Sequence, residues 1–268
     1  MLPRRAIIIA AGMGRRLQPY TDHMPKCLVP VAGKPIMHRQ LDAFRAHGID
    51  DIVVIRGYRA DVLESRRAEL GPGVRFVENP DFASNNILQS LFKAEAELEG
   101  AVLLTYADIV FGEEVVGAVV NARADYALVV DRDFVKIYEG RTEHPLEEGE
   151  VSDLMHDGSV ARVGKRALPV PEAIGEYIGL ARLGERGVAT VANTLDQLTM
   201  KFAGREHEPF QRALTYRNAY QTDLWQALVD SGVQIDPVLI DGQWREIDTG
   251  QDLDRARELV ESAPKDWS

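Results

Sequence analysis

The sequence is short of several things at once. Its 268 residues contain one cysteine, Cys27, which excludes an internal disulfide and a cysteine metal cluster and fits a reducing compartment. The ordinary role of such a residue is to fill a gap as a small apolar group. Positive charge is scarce too: 31 Lys and Arg stand against 42 Asp and Glu, a formal net charge of −11. That balance argues against general nucleic-acid or membrane-surface binding, which favours basic faces. An anion site in this chain must therefore concentrate its cations locally. No apolar run approaches the roughly 20 residues that a membrane helix needs. The run at 6–11 is too short for a signal h-region, and arginines follow it at once. Repeats and low-complexity segments are absent as well. These absences predict a soluble, cytoplasmic protein with neither nucleic acid nor membrane among its partners; they leave a homo-oligomer open.

What is present is ordinary in bulk, with 45% hydrophobic and 27% charged residues, enough for one large domain or two small ones. The pattern along the chain is alternation. AIIIAA (6–11) reads as a buried strand, because a continuous β-branched run suits a parallel sheet covered on both faces. HRQLDAFRAHG (38–48) reads as a helix, DIVVIRGY (51–58) as a strand, ADVLESRRAELG as a helix and VRFVENP (74–80) as a strand. NILQSLFKAEAELEG (86–100) reads as a helix, and AVLLTYADIVF (101–111) as one strand carrying an aspartate. Strands alternating with helices of this length imply βαβ units and an α/β fold with a doubly wound, mostly parallel sheet. After DYALVVD (125–131) the period becomes irregular. A hairpin is expected around Asp157-Gly158, a helix near 184–202 and another at YQTDLWQALVDSG (220–232). VLIDGQWREIDTGQDLDRARELVES should close the chain as a strand pair and a helix, with the tail SAPKDWS fraying.

The loop after the first strand, GMGRRLQPYTDHMPKCLVPVAGKP, excludes two familiar phosphate sites. G-x-G-x-x-G fails because Leu17 takes the third glycine position, and a Walker loop fails because Gly33-Lys34 is followed by Pro35. What remains is a strand–glycine–loop element carrying Arg15, Arg16, Lys26 and Lys34. Small residues there let backbone amides approach an anion, while Pro19, Pro25, Pro30 and Pro35 stiffen the loop without making it helical.

The full spacing, Gly-x-Gly-x-Arg, then Pro25-Lys26-x-Leu28-x-Pro30-Val31-x-Gly33-Lys34-Pro35, resembles the nucleotidyltransferase family that makes sugar nucleotides and related activated phosphates. The resemblance implies a Rossmann-like nucleotidyltransferase fold and a nucleoside-triphosphate site. In it Ala10, Ala11 and Gly12 would meet base and ribose, Gly14 would belong to the same nucleotide-binding turn, and Arg15 and Lys26 would hold the phosphates as the catalytic cations. Asp108, at the end of a strand where open α/β sheets place ligands, and Asp248, in WREIDT, would share Mg²⁺. Capping of the helix after Asp248 is a competing role.

NPDFASNNILQSL (79–91), GEYIGL (175–180) and NAYQTDLWQALVDSG (218–232) look like the phosphocholine cytidylyltransferase-like branch of that family. Asn86 and Ser90 would then lie near the pyrimidine, with helix capping as the competing role for the asparagine. An ammonium-bearing acceptor suits aromatic faces plus a carboxylate, which makes Glu176, Tyr220, Asp223 and Trp225 the candidate acceptor residues, with core packing as the competing role of Trp225. One departure stands out: relatives often carry a lysine just before the strand near 151–155, where this chain has Val151-Ser152. Lys136 and Lys165 are the candidate replacements.

The expectation is one nucleotidyltransferase domain: a nucleotide-binding core (1–131), a small acceptor-side subdomain (132–220), and a return to the core with a C-terminal helix (221–268). It would transfer CMP from CTP to a small phosphorylated alcohol or phosphonate with Mg²⁺ and release pyrophosphate. The alternatives are a hexose-1-phosphate nucleotidyltransferase using UTP, GTP or dTTP, and a non-catalytic nucleotide sensor.

Overall fold

The computed structural model describes residues 2–263 and Trp267. The chain opens with β1 (Arg5–Ala10), a two-residue ribbon of β2 (Pro30–Val31) and β3 (Lys34–Pro35), and helix α1 (Ile36–Ala46). It continues through β4 (Asp51–Arg56), α2 (Ala60–Ser65), β5 (Val74–Glu78), α3 (Ile87–Lys93), β6 (Val102–Tyr106) and β7 (Ile109–Phe111). Then come α4 (Glu113–Val120), β8 (Tyr126–Asp131), α5 (Phe134–Tyr138), β9 (Glu150–Leu154), β10 (Val160–Lys165) and β11 (Gly175–Leu183). The last elements are α6 (Glu185–Phe202), α7 (Gln221–Asp230), β12 (Asp236–Ile240), β13 (Trp244–Glu246) and α8 (Gly250–Ser262).

A central nine-stranded sheet runs in the order β10-β9-β11-β6-β1-β4-β5, with β8 on the other edge of β11 and β12 beyond β8. The half built on β6, β1, β4 and β5 is parallel, and β11 joins it antiparallel. The period of two in β1 explains the double winding. Ile7 and Ile9 point into a core shared with α3, α6 and α7, while Ala6, Ile8 and Ala10 point into one shared with α1 and α4. Each fully buried aliphatic side chain there contributes about 1.5–3 kcal/mol. The sheet is the doubly wound α/β architecture that the alternation predicts, and the hairpin turns at Gly158, in the left-handed region (φ 85°).

Several elements differ from expectation. The run 101–111 is two strands, β6 and β7, broken at Ala107-Asp108. The helix expected to Gly100 ends at Lys93, with a short 3₁₀ turn after it. Helix α4 has no counterpart in the sequence reading, because EEVVGAVV is rich in β-branched residues and carries a glycine; its Val115, Val116, Val119 and Val120 are buried at helical spacing. The closing strands do not pair with each other. Gly242 and Gln243, both at positive φ, turn the chain away. β12 therefore extends the central sheet beside β8, and β13 pairs antiparallel with β7. Of the tail expected to fray, Trp267 is buried against the α8 core, while residues 264–266 and 268 lie outside the described residues. None of the described helices is long and apolar enough to cross a membrane.

Candidate active site

The loop after β1 is held from both ends. Leu17, Leu28, Val29 and Val31 are buried, which anchors it to the core. Gly14 sits in the left-handed region (φ 59°), and a Cβ there would meet Thr21 Cγ2 and Lys26 Cβ at 3.1 and 3.2 Å. Its carbonyl accepts the Thr21 hydroxyl at 2.9 Å. This packing delivers Lys26, on a short 3₁₀ turn after Pro25, to the C-terminal end of the sheet. A cavity of about 300 Å³ opens beside it.

The β7–β13 ribbon supplies the acids. The amide of Ile247 donates to the carbonyl of Asp108 at 2.9 Å, which places two aspartates 140 residues apart in sequence at one point. Lys26 Nζ donates to Asp108 Oδ2 at 2.8 Å and also to Asp248 Oδ1. Arg16 Nη2 reaches Asp248 Oδ2 at 2.5 Å. Helix α8 takes its cap from Thr249 and Asp252 instead, Thr249 Oγ1 accepting the Asp252 amide at 3.2 Å. Asp248 is thereby spared the competing role of a cap.

Burial alone would pull the Lys26 ammonium down, but the carboxylates of Asp108, Asp248 and Glu246 reverse this and hold it above the ordinary lysine range. Burial would likewise raise Asp248, yet Lys26, His144 and Arg16 hold it well below the usual carboxylate range. Glu246 goes the other way, pushed up by burial and by the charge of Asp248. The donor set suits a hard divalent cation: two carboxylates converge, and Asp108 Oδ1 is buried without a hydrogen-bond partner.

Ala10, Ala11, Gly12, Gly14, Arg15, Asn86 and Ser90 all line this cavity together with Lys26, Asp108 and Asp248. Arg15 is exposed, and its Nη2 donates to Met13 Sδ at 3.5 Å. Asn86 stands at the N-cap position of α3, but its side chain does not cap; it donates to the Asn218 carbonyl at 3.1 Å. Ser90 Oγ accepts from Asn79 at 2.9 Å.

The four acceptor candidates do not come together. Trp225 is fully buried in the core, so it presents no face to a ligand. Asp223 is consumed as a cap: its carboxylate accepts the Tyr220 amide at 2.7 Å and the Arg212 amide at 3.0 Å. Glu176 lies across β11 from Val151 of β9, and strand-opposed residues share a face. It therefore points away from Glu150, to which Lys165 of β10 is directly opposed. Glu176 is buried and accepts the Tyr138 hydroxyl at 2.8 Å. Tyr220 alone keeps a partly exposed ring, and Lys165 Nζ lies 4.8 Å above its centre. Lys136 is a solvated surface residue paired with Asp133.

Glu150 is a buried carboxylate next to the cavity wall that the sequence reading missed. Tyr106, which lines the cavity, donates to it at 3.1 Å, and Thr222 does so at 3.1 Å. Burial pushes Glu150 up to about 7 against the pull of Lys165. Strand alternation within the irregular stretch 132–175 was the available signal.

A family model, the MobA-like NTP transferase domain, matches residues 6–163. The chain belongs to this family of nucleotidyltransferases. Among its relatives is the CTP:phosphoglutamine cytidylyltransferase of Campylobacter jejuni, 31% identical over 255 residues that cover 93% of this chain and 97% of the relative. The choline-phosphate cytidylyltransferase of Streptococcus pneumoniae is 37% identical over 37% of this chain and 43% of its own length. The fold matches the solved CTP:phosphocholine cytidylyltransferase from Streptococcus pneumoniae at TM-score 0.71 and 22% identity, covering 96% of this chain and 99% of the other. It also matches the inositol-1-phosphate CTP transferase from T. maritima at TM-score 0.74 and 20% identity, covering 97% and 96%. The cavity beside β1 brings cations, acids and space together.

Proposed function

We propose that the protein transfers CMP from CTP to a small phosphorylated alcohol or phosphonate and releases pyrophosphate. The convergence of Lys26, Asp108 and Asp248 at the mouth of the cavity carries this reading. The choice of CTP and of the acceptor class is supported by the cytidylyltransferases among the relatives. An oxygen of the acceptor's phosphate or phosphonate attacks the α-phosphorus in line. The bond from that phosphorus to the bridging oxygen breaks, and pyrophosphate leaves with the electron pair. No covalent enzyme intermediate is required, so positioning and charge neutralisation are the protein's contribution.

Ala10, Ala11, Gly12 and Gly14 bring the loop backbone against the nucleotide, and Asn86 and Ser90 stand where a pyrimidine edge can be read. Arg15, exposed over the cavity, meets the leaving phosphates. Lys26 neutralises charge between the α-phosphate and the acceptor. Asp108 and Asp248 would hold Mg²⁺, which when bound supplies charge neutralisation of the triphosphate. Lys165, opposed to Glu150 on the acceptor side of Tyr106, takes the place of the lysine missing at Val151-Ser152. Residues 1–131 then serve the nucleotide, 132–220 the acceptor, and 221–268 return Asp248 to the core.

The test is pyrophosphate release with Mg²⁺, crossing CTP, UTP, GTP and dTTP against phosphocholine, aminoethylphosphonate, inositol-1-phosphate and glucose-1-phosphate. CTP with one non-hexose acceptor is expected. Signal from UTP, GTP or dTTP with glucose-1-phosphate would replace the cytidylyl reading, and nucleotide binding without pyrophosphate from any pair would favour a sensor. Lys165→Met should raise the acceptor KM and leave the CTP KM unchanged.

A further inference from the structure

Behind Asp248, on the side away from the nucleotide cavity, lies a buried group of side chains that the proposed chemistry does not use. Arg141 and His144 come from the loop between α5 and β9, and their side chains are only 3% and 2% exposed. Arg141 Nε donates to Asp252 Oδ1 at 2.6 Å, and its Nη2 donates to Asp252 Oδ2 at 3.1 Å and to Glu246 Oε2 at 3.0 Å. Its guanidinium also lies 4.6 Å above the centre of the Tyr138 ring. Asp252 Oδ2 in turn accepts the backbone amides of Asp248 at 3.1 Å and Thr249 at 2.9 Å. His144 Nδ1 stands 3.2 Å from Asp248 Oδ2, the oxygen that Arg16 also holds.

We propose that His144 and Arg141 are positioning residues for Asp248. An aspartate in the connection between a strand and a helix has two side-chain torsions to lose before it can serve a fixed geometry. On its cavity side the carboxylate is held by Lys26 and by Arg16, the latter 51% exposed. The buried side supplies the rigid half of the support. Arg141 fixes the Asp248 backbone through the carboxylate of Asp252, and the His144 ring fixes the Asp248 carboxylate. His144 Nδ1 also lies 2.9 Å from Arg141 Nη2; with the two Nη2 hydrogens directed to Glu246 and Asp252, the ring tautomer that carries its proton on Nδ1 donates to Asp248. Neither residue lines the cavity, so both act through Asp248 and not on substrate. This rests on the reading that Asp248 is a cation ligand.

Groups that hold a metal's ligand in place commonly contribute 10–100-fold to metal affinity. The experiment measures enzyme-bound Mn²⁺ by electron paramagnetic resonance with CTP present, on the full chain, alongside thermal unfolding of each variant. His144→Leu is expected to weaken Mn²⁺ affinity about tenfold or more. His144→Asn, whose amide nitrogen stands near the place of Nδ1, should restore it to within about threefold of the parent. Asp248→Asn is the control and should weaken binding at least as much as His144→Leu. If Asp248→Asn binds Mn²⁺ like the parent, the cation-ligand reading falls and takes the inference with it. If Asp248→Asn is weakened but His144→Leu is not, the inference alone is overturned. Equal losses in a folded His144→Leu and a folded His144→Asn also overturn it, because the hydrogen bond is then not the cause.

Discussion

Lys26 and Asp108 meet through a single 2.8 Å contact between Nζ and Oδ2, and the contact exists because two short strands far apart in sequence pair behind it. Because β7 and β13 run antiparallel, Asp108, just before β7, and Asp248, just after β13, stand at the same end of the ribbon. The loop after β1 drops Lys26 between them. A cation wedged between two acids at the edge of a cavity is a local charge concentration of the kind an acidic protein needs if it is to handle a triphosphate.

Asp108→Ala should abolish turnover, by about 10³-fold or more, while the fold survives. Its side chain is 29% exposed, so its loss opens no large cavity. Pyrophosphate release and circular dichroism on the same preparation test this. Near-normal release would remove Asp108 from the mechanism.

Glu150 makes a prediction about pH. Burial raises its carboxyl from an ordinary 4.5 to about 7, so across that window the folded protein holds a proton that the unfolded chain has lost. The resulting contribution to stability is complete below pH 4.5 and is gone once pH has risen through about 7. Glu150→Gln keeps the shape but cannot titrate; its one amide oxygen accepts from one of the Tyr106 and Thr222 hydroxyls, and its NH₂ donates to the other. Urea unfolding between pH 4.5 and 7 should therefore show the variant gaining stability relative to the parent as pH rises. A constant difference across that range contradicts the assignment.

Gly179 in GEYIGL explains why that motif carries a second glycine. It lies where β11 shifts register, at φ 83°, and a Cβ there would fall 2.3 Å from the Tyr106 ring. Gly179→Ala should cost about 2–4 kcal/mol from backbone strain and overpacking. It should also weaken CTP binding, because Tyr106 lines the cavity. Unfolding curves and calorimetric titration of CTP read the two effects separately, and an unchanged CTP affinity would detach Tyr106 from the nucleotide site.

Trp225→Phe distinguishes core packing from acceptor binding. Its expected result is a stability loss of about 1–3 kcal/mol with the acceptor KM unchanged. A selective rise in acceptor KM at full stability would return Trp225 to the acceptor site.

The parts of the site legible in the sequence were those written in contiguous residues. AIIIAA declares a doubly covered strand by composition alone, and the loop that follows carries Gly14, Arg15 and Lys26 at fixed spacing. Asp108 was likewise readable as a strand-end acid and Asp248 through the resemblance that WREIDT carries, though the ribbon that joins them was not, because Gly242 and Gln243 send the chain to a different partner from the one adjacency suggests. The acceptor side went wrong for a related reason. The faces of β9, β10 and β11 depend on register, and a shift of one residue exchanges Glu150 for its neighbours. Trp225 and Asp223 carry residue types suited to binding, yet packing and capping claim them first.

The measurement that bears most directly on the central claim is ³¹P nuclear magnetic resonance of a reaction containing enzyme, Mg²⁺, CTP and each acceptor in turn. The account predicts equimolar pyrophosphate and a new CMP-linked P–O–P product from CTP and a phosphoalcohol or phosphonate, with Lys26→Ala slowing its formation by about 10²–10³-fold. A product formed at the parent rate by Lys26→Ala, or the linked product formed from UTP, GTP or dTTP but not from CTP, would contradict it.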